Sequence, residues 1–241
     1  MSAEDVARVV GVKESTIWRW CREGTLPCLK VGKHWRVRRE ALEDFLRHSE
    51  RPATLVGQLR SFLEVPDNVL AITQNVDLMH RLDAAFFQVG DAQGGLLVKF
   101  YGGEEHSEDE MRAELDRNSL DVGRLEQEGR FLMRAEQDPL GLGREDELRR
   151  LLDEEGAEGH TVWASFNWAK QVDLDTALEQ QYKLAKLVDA RYLVVKTAAL
   201  EEVIDEWSSA MLRRAQSSHA ATISVSESEL CLNRAMPMLP S

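Results

Sequence analysis

Apolar residues near the start of the chain recur at the three-to-four-residue spacing of amphipathic helices. Ser2 and Asp5 form a capping-box signature that predicts the start of a first helix. Gly11, which is free to take a positive φ, predicts its end. A second helix is predicted from Glu14 to Glu23, and its inward positions are Ile17, Trp20 and Cys21. The pattern therefore predicts two short helices joined by a tight turn.

Alternating residues after the second helix predict a β-hairpin. The two runs span Cys28 to Val31 and His34 to Val37, on either side of Gly32 and Lys33, so the hairpin tip is basic. A closing helix follows, with an apolar stripe at Leu42, Phe45 and Leu46. A helix-turn-helix followed by a basic hairpin is the arrangement of a small DNA-reading unit.

The rest of the chain alternates between short apolar runs and helical patterns. The predicted strands are Asn68 to Thr73, Leu96 to Tyr101, Arg130 to Arg134, Thr161 to Trp168, Tyr192 to Thr197 and Thr222 to Val225. The predicted helices are Val76 to Val89, Glu108 to Asn118, Glu145 to Glu155, Leu174 to Val188 and Leu200 to Arg214. Strands such as LLVKF are apolar almost throughout, which indicates a sheet covered on both faces. We therefore predict a three-layer α/β domain with a mainly parallel sheet.

These patterns divide the chain into four parts. We predict a winged helix-turn-helix DNA-binding domain at residues 1–51, a linker at 52–66 and the α/β domain at 67–235. The linker has apolar residues at helical spacing, so a short amphipathic helix is the alternative there. Residues 236–241 contain two prolines and are predicted to be a loose tail.

Charge separates the same two domains. Residues 1–51 hold 11 Lys and Arg against 8 Asp and Glu, whereas the remaining 190 residues hold 19 against 34. The acidic part would be repelled by phosphate, so we expect contact with nucleic acid to be confined to the first domain. A footprint with so small an excess of positive charge predicts weak binding by one copy. A homodimer or higher homo-oligomer on adjacent half-sites is therefore expected.

The composition favours a cytoplasmic protein. No apolar stretch has the length that a membrane span needs, and no signal peptide precedes Ser2. The three cysteines, Cys21, Cys28 and Cys231, are well separated in the sequence, which argues against a disulfide framework. Cys28 and Cys231 are either thiol sensors or small core and strand residues.

The first domain resembles the small winged-helix module of excisionases and of MerR-like regulators. The resemblance is carried by Arg22-Glu23-Gly24, Leu26-Pro27 and Val31-Gly32-Lys33-His34-Trp35-Arg36, in about a fifth of the chain. Lys13 departs from it, because such proteins often carry a serine N-cap there. The resemblance implies binding of double-stranded DNA. The candidate DNA-binding residues are Lys13, Ser15, Thr16, Trp18, Arg19, Arg22, Lys30, Lys33, His34, Arg36 and Arg38.

Structural readings of the same residues compete with these assignments. Trp20 and Trp35 lie on the inward phase and are expected in the core. Trp18 faces outward, either as a contact to the DNA backbone or as an exposed packing residue. Arg19 and Arg22 are either base contacts or ordinary solvated charges of a helix.

The sequence offers no positive support for catalysis. It contains neither GxxxxGK[ST] nor GxGxxG, and no histidines or cysteines at metal-ligand spacing. The serines Ser165, Ser224 and Ser226 lie in no recognisable nucleophile elbow. We therefore expect no enzymatic activity, no cofactor and no metal.

Aromatic residues of the second domain offer a candidate ligand site. Strand alternation places Trp163 on one face of its strand and Phe166 with Trp168 on the other, and Tyr192 begins the next strand. These residues either line a pocket for a small apolar molecule at the carboxyl ends of the strands or pack in the core.

This second domain also resembles, more distantly, the sensory domain of DcmR-type regulators. The resemblance covers roughly Asn68 to Lys196 and is carried by MRAELDRNSLDVGRLEQEGRFLM, TVWASFNWA and LEQQYKLAKLVDARYLVV. It departs at the first strand, where that family often has a histidine or cysteine. The resemblance implies a KaiC/RecA-like fold without a phosphate loop, and a sensor of small organic compounds.

Three functions remain open. The leading hypothesis is a DNA-binding transcriptional regulator whose α/β domain senses a small molecule or partner and controls oligomerisation. The alternative is a recombination accessory, excisionase-like, or a scaffold whose second domain binds another protein. An enzyme fused to a DNA-binding module is disfavoured by the missing motifs.

Overall fold

The computed structural model describes residues 1–32, 34–49, 54–102, 107–136, 143–154, 160–167 and 174–234. They belong to two compact units, residues 1–53 and residues 54–241. In the first unit the helices are α1 (Ala3–Val10), α2 (Glu14–Glu23) and α3 (Arg39–Ser49), and the antiparallel strands are β1 (Cys28–Val31) and β2 (His34–Val37).

Local sequence signals explain the helix ends of the first unit. The Ser2–Asp5 capping box begins α1, and Gly11 ends it in the left-handed conformation at φ 73°. Lys13 precedes α2 as its N-cap and makes no side-chain capping bond. The helices and the hairpin then enclose one small core: Ala3, Val6, Ala7, Ile17, Cys21, Leu26, Val37 and Leu42.

The expectation about cysteine pairing is wrong for this unit, because a disulfide joins Cys21 and Cys28. Gly24 ends α2 at φ 77° and turns the chain back on itself. The Cα atoms of the two cysteines are therefore only 5.3 Å apart although they lie seven positions apart in sequence. The number and spacing of the cysteines in the sequence do not show that turn, so they did not indicate the disulfide.

A seven-stranded sheet forms the centre of the second unit, with strand order β5-β4-β6-β7-β3-β8-β9. All neighbours are parallel except β8 and β9. The strands are β3 (Asp67–Thr73), β4 (Leu96–Tyr101), β5 (Phe131–Ala135), β6 (Val162–Asn167), β7 (Val194–Leu200), β8 (Ala221–Val225) and β9 (Leu230–Arg234). The helices are α4 (Leu55–Phe62), α5 (Val76–Ala92), α6 (Glu108–Arg117), α7 (Val122–Gln127), α8 (Arg144–Glu154), α9 (Leu174–Arg191), α10 (Glu201–Asp205) and α11 (Ser209–Ser217).

Helices cover both faces of this sheet, which is why its strands are apolar on both sides. One core, which includes Phe86 of α5 and Trp163 of β6, lies beneath α4 to α7. The opposite face packs on α8 and α9 through a second core that includes Phe166 of β6, and on α10 and α11 through a smaller cluster. The predicted three-layer domain with a mainly parallel sheet is confirmed.

Several element predictions need correction. The helix predicted from Leu200 to Arg214 is two helices, because Ser208 starts α11 as its N-cap by accepting from the Met211 N–H. The antiparallel strand β9 and the short helix α7 were not predicted. Of the two alternatives for the predicted linker, the short amphipathic helix is the one that the structure shows: α4 packs into the core beneath α4 to α7 through the fully buried Leu59.

Candidate nucleic-acid interface

One face of α2 is exposed and carries the residues predicted to read DNA. Ile17 and Cys21 are buried on the opposite side, and this burial fixes the rotation of the helix. The exposed residues follow at i, i+3, i+4 and i+7, the spacing of one helical stripe. They are Ser15, Trp18, Arg19 and Arg22.

The hairpin is held beside this face by the start of the chain. Ser2 forms an antiparallel bridge with Arg36, and the Val37 N–H donates to the Met1 carbonyl at 3.0 Å. Val37 itself is fully buried in the core. The hairpin is therefore positioned by backbone pairing and by core packing, with His34 and Arg36 left exposed on β2.

Helix α2, the start of α1 and strand β2 border a groove of about 770 Å³. Six predicted residues meet there: Ser15, Trp18, Arg19, Arg22, His34 and Arg36. Ser2, Ala3, Glu4, Glu14 and Trp35 complete its lining, and sequence reasoning did not place these five in the interface. Three guanidinium groups and two carboxylates in one groove give it the mixed donors and acceptors that base edges require.

The other predicted DNA-binding residues lie outside that lining. Lys13 directly precedes α2, Arg38 lies between β2 and α3, and both are exposed. Thr16 is half-buried. Lys30 lies over the Trp35 ring, with its Nζ 5.8 Å from the ring centroid. Lys33 lies outside the described residues.

The two tryptophans expected in the core are only partly buried. The Trp20 ring packs on Phe45, with their centroids 5.1 Å apart. Trp35 packs against the same core but also lines the groove. Trp18 is 49 % exposed, so its ring is accessible to DNA bound at the exposed face of α2.

The aromatic residues predicted as a ligand pocket in the second unit do not come together. Trp163 is fully buried beside Phe86, and Phe166 is fully buried in the other core, where it stacks on Phe100 at 4.3 Å. Tyr192 is 66 % exposed and precedes β7 at the amino end of that strand. Trp168 lies outside the described residues. Alternation along β6 separates the first two, so the core interpretation is correct for them.

The connection from β3 to α5 is too short to hold a phosphate-binding loop of the GxxxxGK[ST] type. Only Gln74 and Asn75 lie between the two elements. The Asn75 side chain accepts from the Leu78 N–H at 2.9 Å, so it occupies the helix N-terminus at which a phosphate loop would hold its anion. Two residues are too few for the six-residue loop of a GxxxxGK[ST] motif.

A buried charge cluster lies between α5 and the sheet, and sequence reasoning missed it. Asp83 accepts from Lys99 Nζ at 2.9 Å and from Ser165 Oγ at 2.6 Å, and it also pairs with Lys196. Burial would raise the pKa of Asp83, but the two ammonium groups hold it well below its ordinary value. Burial lowers the pKa of Lys196 to about 8 despite the attraction of Asp83. The sequence signal that could have indicated this cluster is the single lysine inside each of the apolar strands LLVKF and YLVVK.

Comparison with known proteins identifies the first unit. A family model described as a helix-turn-helix domain matches residues 1–49. The N-terminal unit is therefore a helix-turn-helix domain, a class that binds DNA. No curated protein matches the chain in sequence. Among the described helices none combines the length and apolar character of a membrane span.

Solved structures identify the fold of the second unit. A KaiC-like protein, PH0186, from Pyrococcus horikoshii OT3 is 10 % identical with a TM-score of 0.50, over 73 % of this chain and 82 % of that one. The protein PH0250 from the same organism is 12 % identical with a TM-score of 0.51, over 76 % and 93 %. At these identities the likeness establishes the fold alone, and the predicted KaiC-like topology is confirmed.

Proposed function

We propose that the protein is a transcriptional regulator that binds double-stranded DNA through the groove between α2 and β2. The observation that carries this proposal is the convergence of Arg19, Arg22 and Arg36 on one groove of a helix-turn-helix domain. The stripe on α2 would enter the major groove, and the hairpin would lie along the backbone. This is how winged units divide base reading from positioning.

The side chains suit those two roles. Arg19 and Arg22 are forked donors, which pair with the O6 and N7 acceptors of guanine. His34 and Arg36 on the hairpin would contact phosphate or the minor groove. Ser15 and Trp18 complete the stripe as a hydroxyl donor and an apolar surface for a thymine methyl or a sugar.

For the second unit we propose the sensing of a small apolar molecule or a protein partner, and control of oligomerisation. Its 19 basic against 34 acidic residues after position 51 disfavour contact with phosphate. Its resemblance to the sensory domain of DcmR-type regulators supports a sensor. A ligand acts only if it binds two arrangements of the DNA-binding units with different affinity, so it would change their spacing or their association.

A charge-matched pair of variants tests the DNA-binding proposal. Arg19→Ala with Arg22→Ala should abolish preference for the duplex that the wild-type protein enriches from a randomised library. Each lost base contact is worth about 1–3 kcal/mol, so the pair costs roughly thirtyfold or more in affinity. Fluorescence anisotropy with that duplex measures the loss.

Arg213→Ala with Arg214→Ala is the control, because it removes the same two charges from exposed positions of α11. It should leave the affinity near that of the wild-type protein. If the α2 variant keeps its affinity and sequence preference, α2 is not the reading helix. A stable protein partner together with no small-molecule effect on DNA affinity would favour the recombination accessory or scaffold instead.

A further inference from the structure

A covalent bond joins α2, which borders the DNA-binding groove, to β1, the strand that pairs with β2 in the hairpin. Cys21 lies in the last turn of α2, and Cys28 is the first residue of β1. Their disulfide closes the turn that leads from the reading helix into the hairpin. It therefore ties the helix of Arg19 and Arg22 to the hairpin that presents Arg36.

Non-covalent contacts hold this turn weakly. Of residues 24–27, which lie between α2 and β1 and are all described by the structure, only Leu26 is buried. One backbone bond, from the Leu26 N–H to the Trp20 carbonyl at 3.2 Å, connects it to α2. The start of the chain holds β2 through the Met1–Val37 pairing and the burial of Val37, and the disulfide adds the covalent link between β1 and the end of α2. Cys28 is paired with Val37 across the hairpin, so a displacement of Cys28 also displaces β2.

The two sulfur atoms differ in access. Cys21 is 7 % exposed among the apolar residues of the small core, whereas Cys28 is only partly buried. A thiolate from solvent therefore reaches the sulfur of Cys28 first. After reduction both thiols remain as small apolar groups in or beside that core, so the unit keeps its packing without the tether.

We infer that Cys21 and Cys28 form a reversible oxidation site that controls the DNA affinity of the groove. This inference rests on the proposed function. The disulfide form restrains β1 against the end of α2 in the arrangement that binds DNA. Reduction removes that restraint while the core and the Met1–Val37 pairing persist, so the hairpin is held less tightly relative to α2 and binding weakens.

The reductant is a dithiol. One of its thiolates attacks Cys28 Sγ and forms a mixed disulfide, and Cys21 Sγ leaves as a thiolate that takes up a proton. The second thiol of the reductant then displaces Cys28, which is also protonated. Two electrons and two protons enter the protein, and the reductant leaves as its own disulfide.

The test compares the full-length protein in two redox states, prepared with glutathione disulfide and with dithiothreitol. Alkylation of free thiols after denaturation should mark at most Cys231 in the first preparation, where glutathione can cap that thiol, and all three cysteines in the second. The probe is the duplex that the oxidised protein enriches from a randomised library. We expect roughly tenfold weaker binding after reduction, because the loss of one hairpin contact is worth about 1.4 kcal/mol.

Variants separate the disulfide from general effects of the reductant. Cys28→Ser and Cys28→Ala should both bind as the reduced wild-type protein does, with or without dithiothreitol. Cys231→Ser, which removes the thiol of β9 in the second unit, should keep the full redox response. The wild-type comparison needs no substitution, so it holds even where a variant misfolds.

Equal affinity of the two verified redox states would overturn the switch alone and leave the proposed function standing. Labelling of all three cysteines in both preparations would overturn it as well. If neither state enriches any duplex, both the proposed function and the switch fail.

Discussion

At the residue scale, two glycines make room for the largest buried side chain of the second unit. Trp163 is fully buried beneath α5. A Cβ added at Gly95 would lie 2.5 Å from its ring, and one added at Gly90 would lie 2.7 Å from both Trp163 and Leu97. Contacts that short do not occur between carbon atoms, so these positions exclude every side chain without a shift of the core.

Gly90→Ala should therefore destabilise the protein although alanine favours a helix. The gain in helix propensity is at most about 1 kcal/mol, whereas overpacking a close-packed core costs about 1–3 kcal/mol. Gly123→Ala on α7 is the matched control, because nothing lies within 4 Å of the added Cβ there. Denaturant unfolding should show a loss for the first variant and none for the second. Equal stability of Gly90→Ala and wild type would contradict this prediction, because the core around Trp163 would then have shifted without loss to make room for the methyl group.

At the same scale, part of the candidate interface can be predicted from the sequence and part cannot. The helical period alone predicts that Arg19 and Arg22 share an exposed face, and the structure agrees. The meeting of that face with Arg36 depends on contacts between residues more than thirty positions apart, such as Val37 with Met1. Glu4 enters the groove through the same distant contacts, whereas Glu14 lies on α2 four residues before Trp18, so helical spacing was a usable signal for it.

At the element scale, Asp83 links α5 to three strands of the sheet. Its carboxylate meets Lys99 of β4, Ser165 of β6 and Lys196 of β7, all of them buried. The strand patterns predicted the sheet because apolar runs indicate burial. They did not show which helix residue faces the two lysines, because that depends on how α5 crosses the strands. Length and periodicity likewise missed β9, which pairs antiparallel after a short turn.

Asp83→Asn should destabilise the second unit by about 3–5 kcal/mol, because removing one partner leaves the two ammonium groups buried without their counterion. Chemical denaturation at pH 7 measures this loss. Asp77→Asn is a control on the same helix: Asp77 is exposed in the first turn of α5, where its charge is worth at most about 1 kcal/mol. A loss no larger for Asp83→Asn than for Asp77→Asn would contradict the assigned role of the cluster.

At the scale of the whole molecule, the chain joins a slightly basic reading unit to an acidic α/β unit. Their boundary follows Ala53, so α4 belongs to the sheet domain. Composition identified the two charge classes correctly, but amphipathic spacing over residues 54–63 left helix and linker as alternatives. The small positive excess of the first 51 residues is the reason to expect cooperation between copies.

Selection of duplexes from a randomised library by the full-length protein tests the central claim most directly. We expect enrichment of one sequence that contains two half-sites about 10–11 base pairs apart, or a multiple of that, because paired helix-turn-helix units contact one face of the duplex. Affinity for it should fall steeply with salt, since the proposal places phosphates against the basic side chains of the hairpin. Recovery of no enriched sequence, or binding that is equal for every duplex, would contradict a sequence-reading function for this groove.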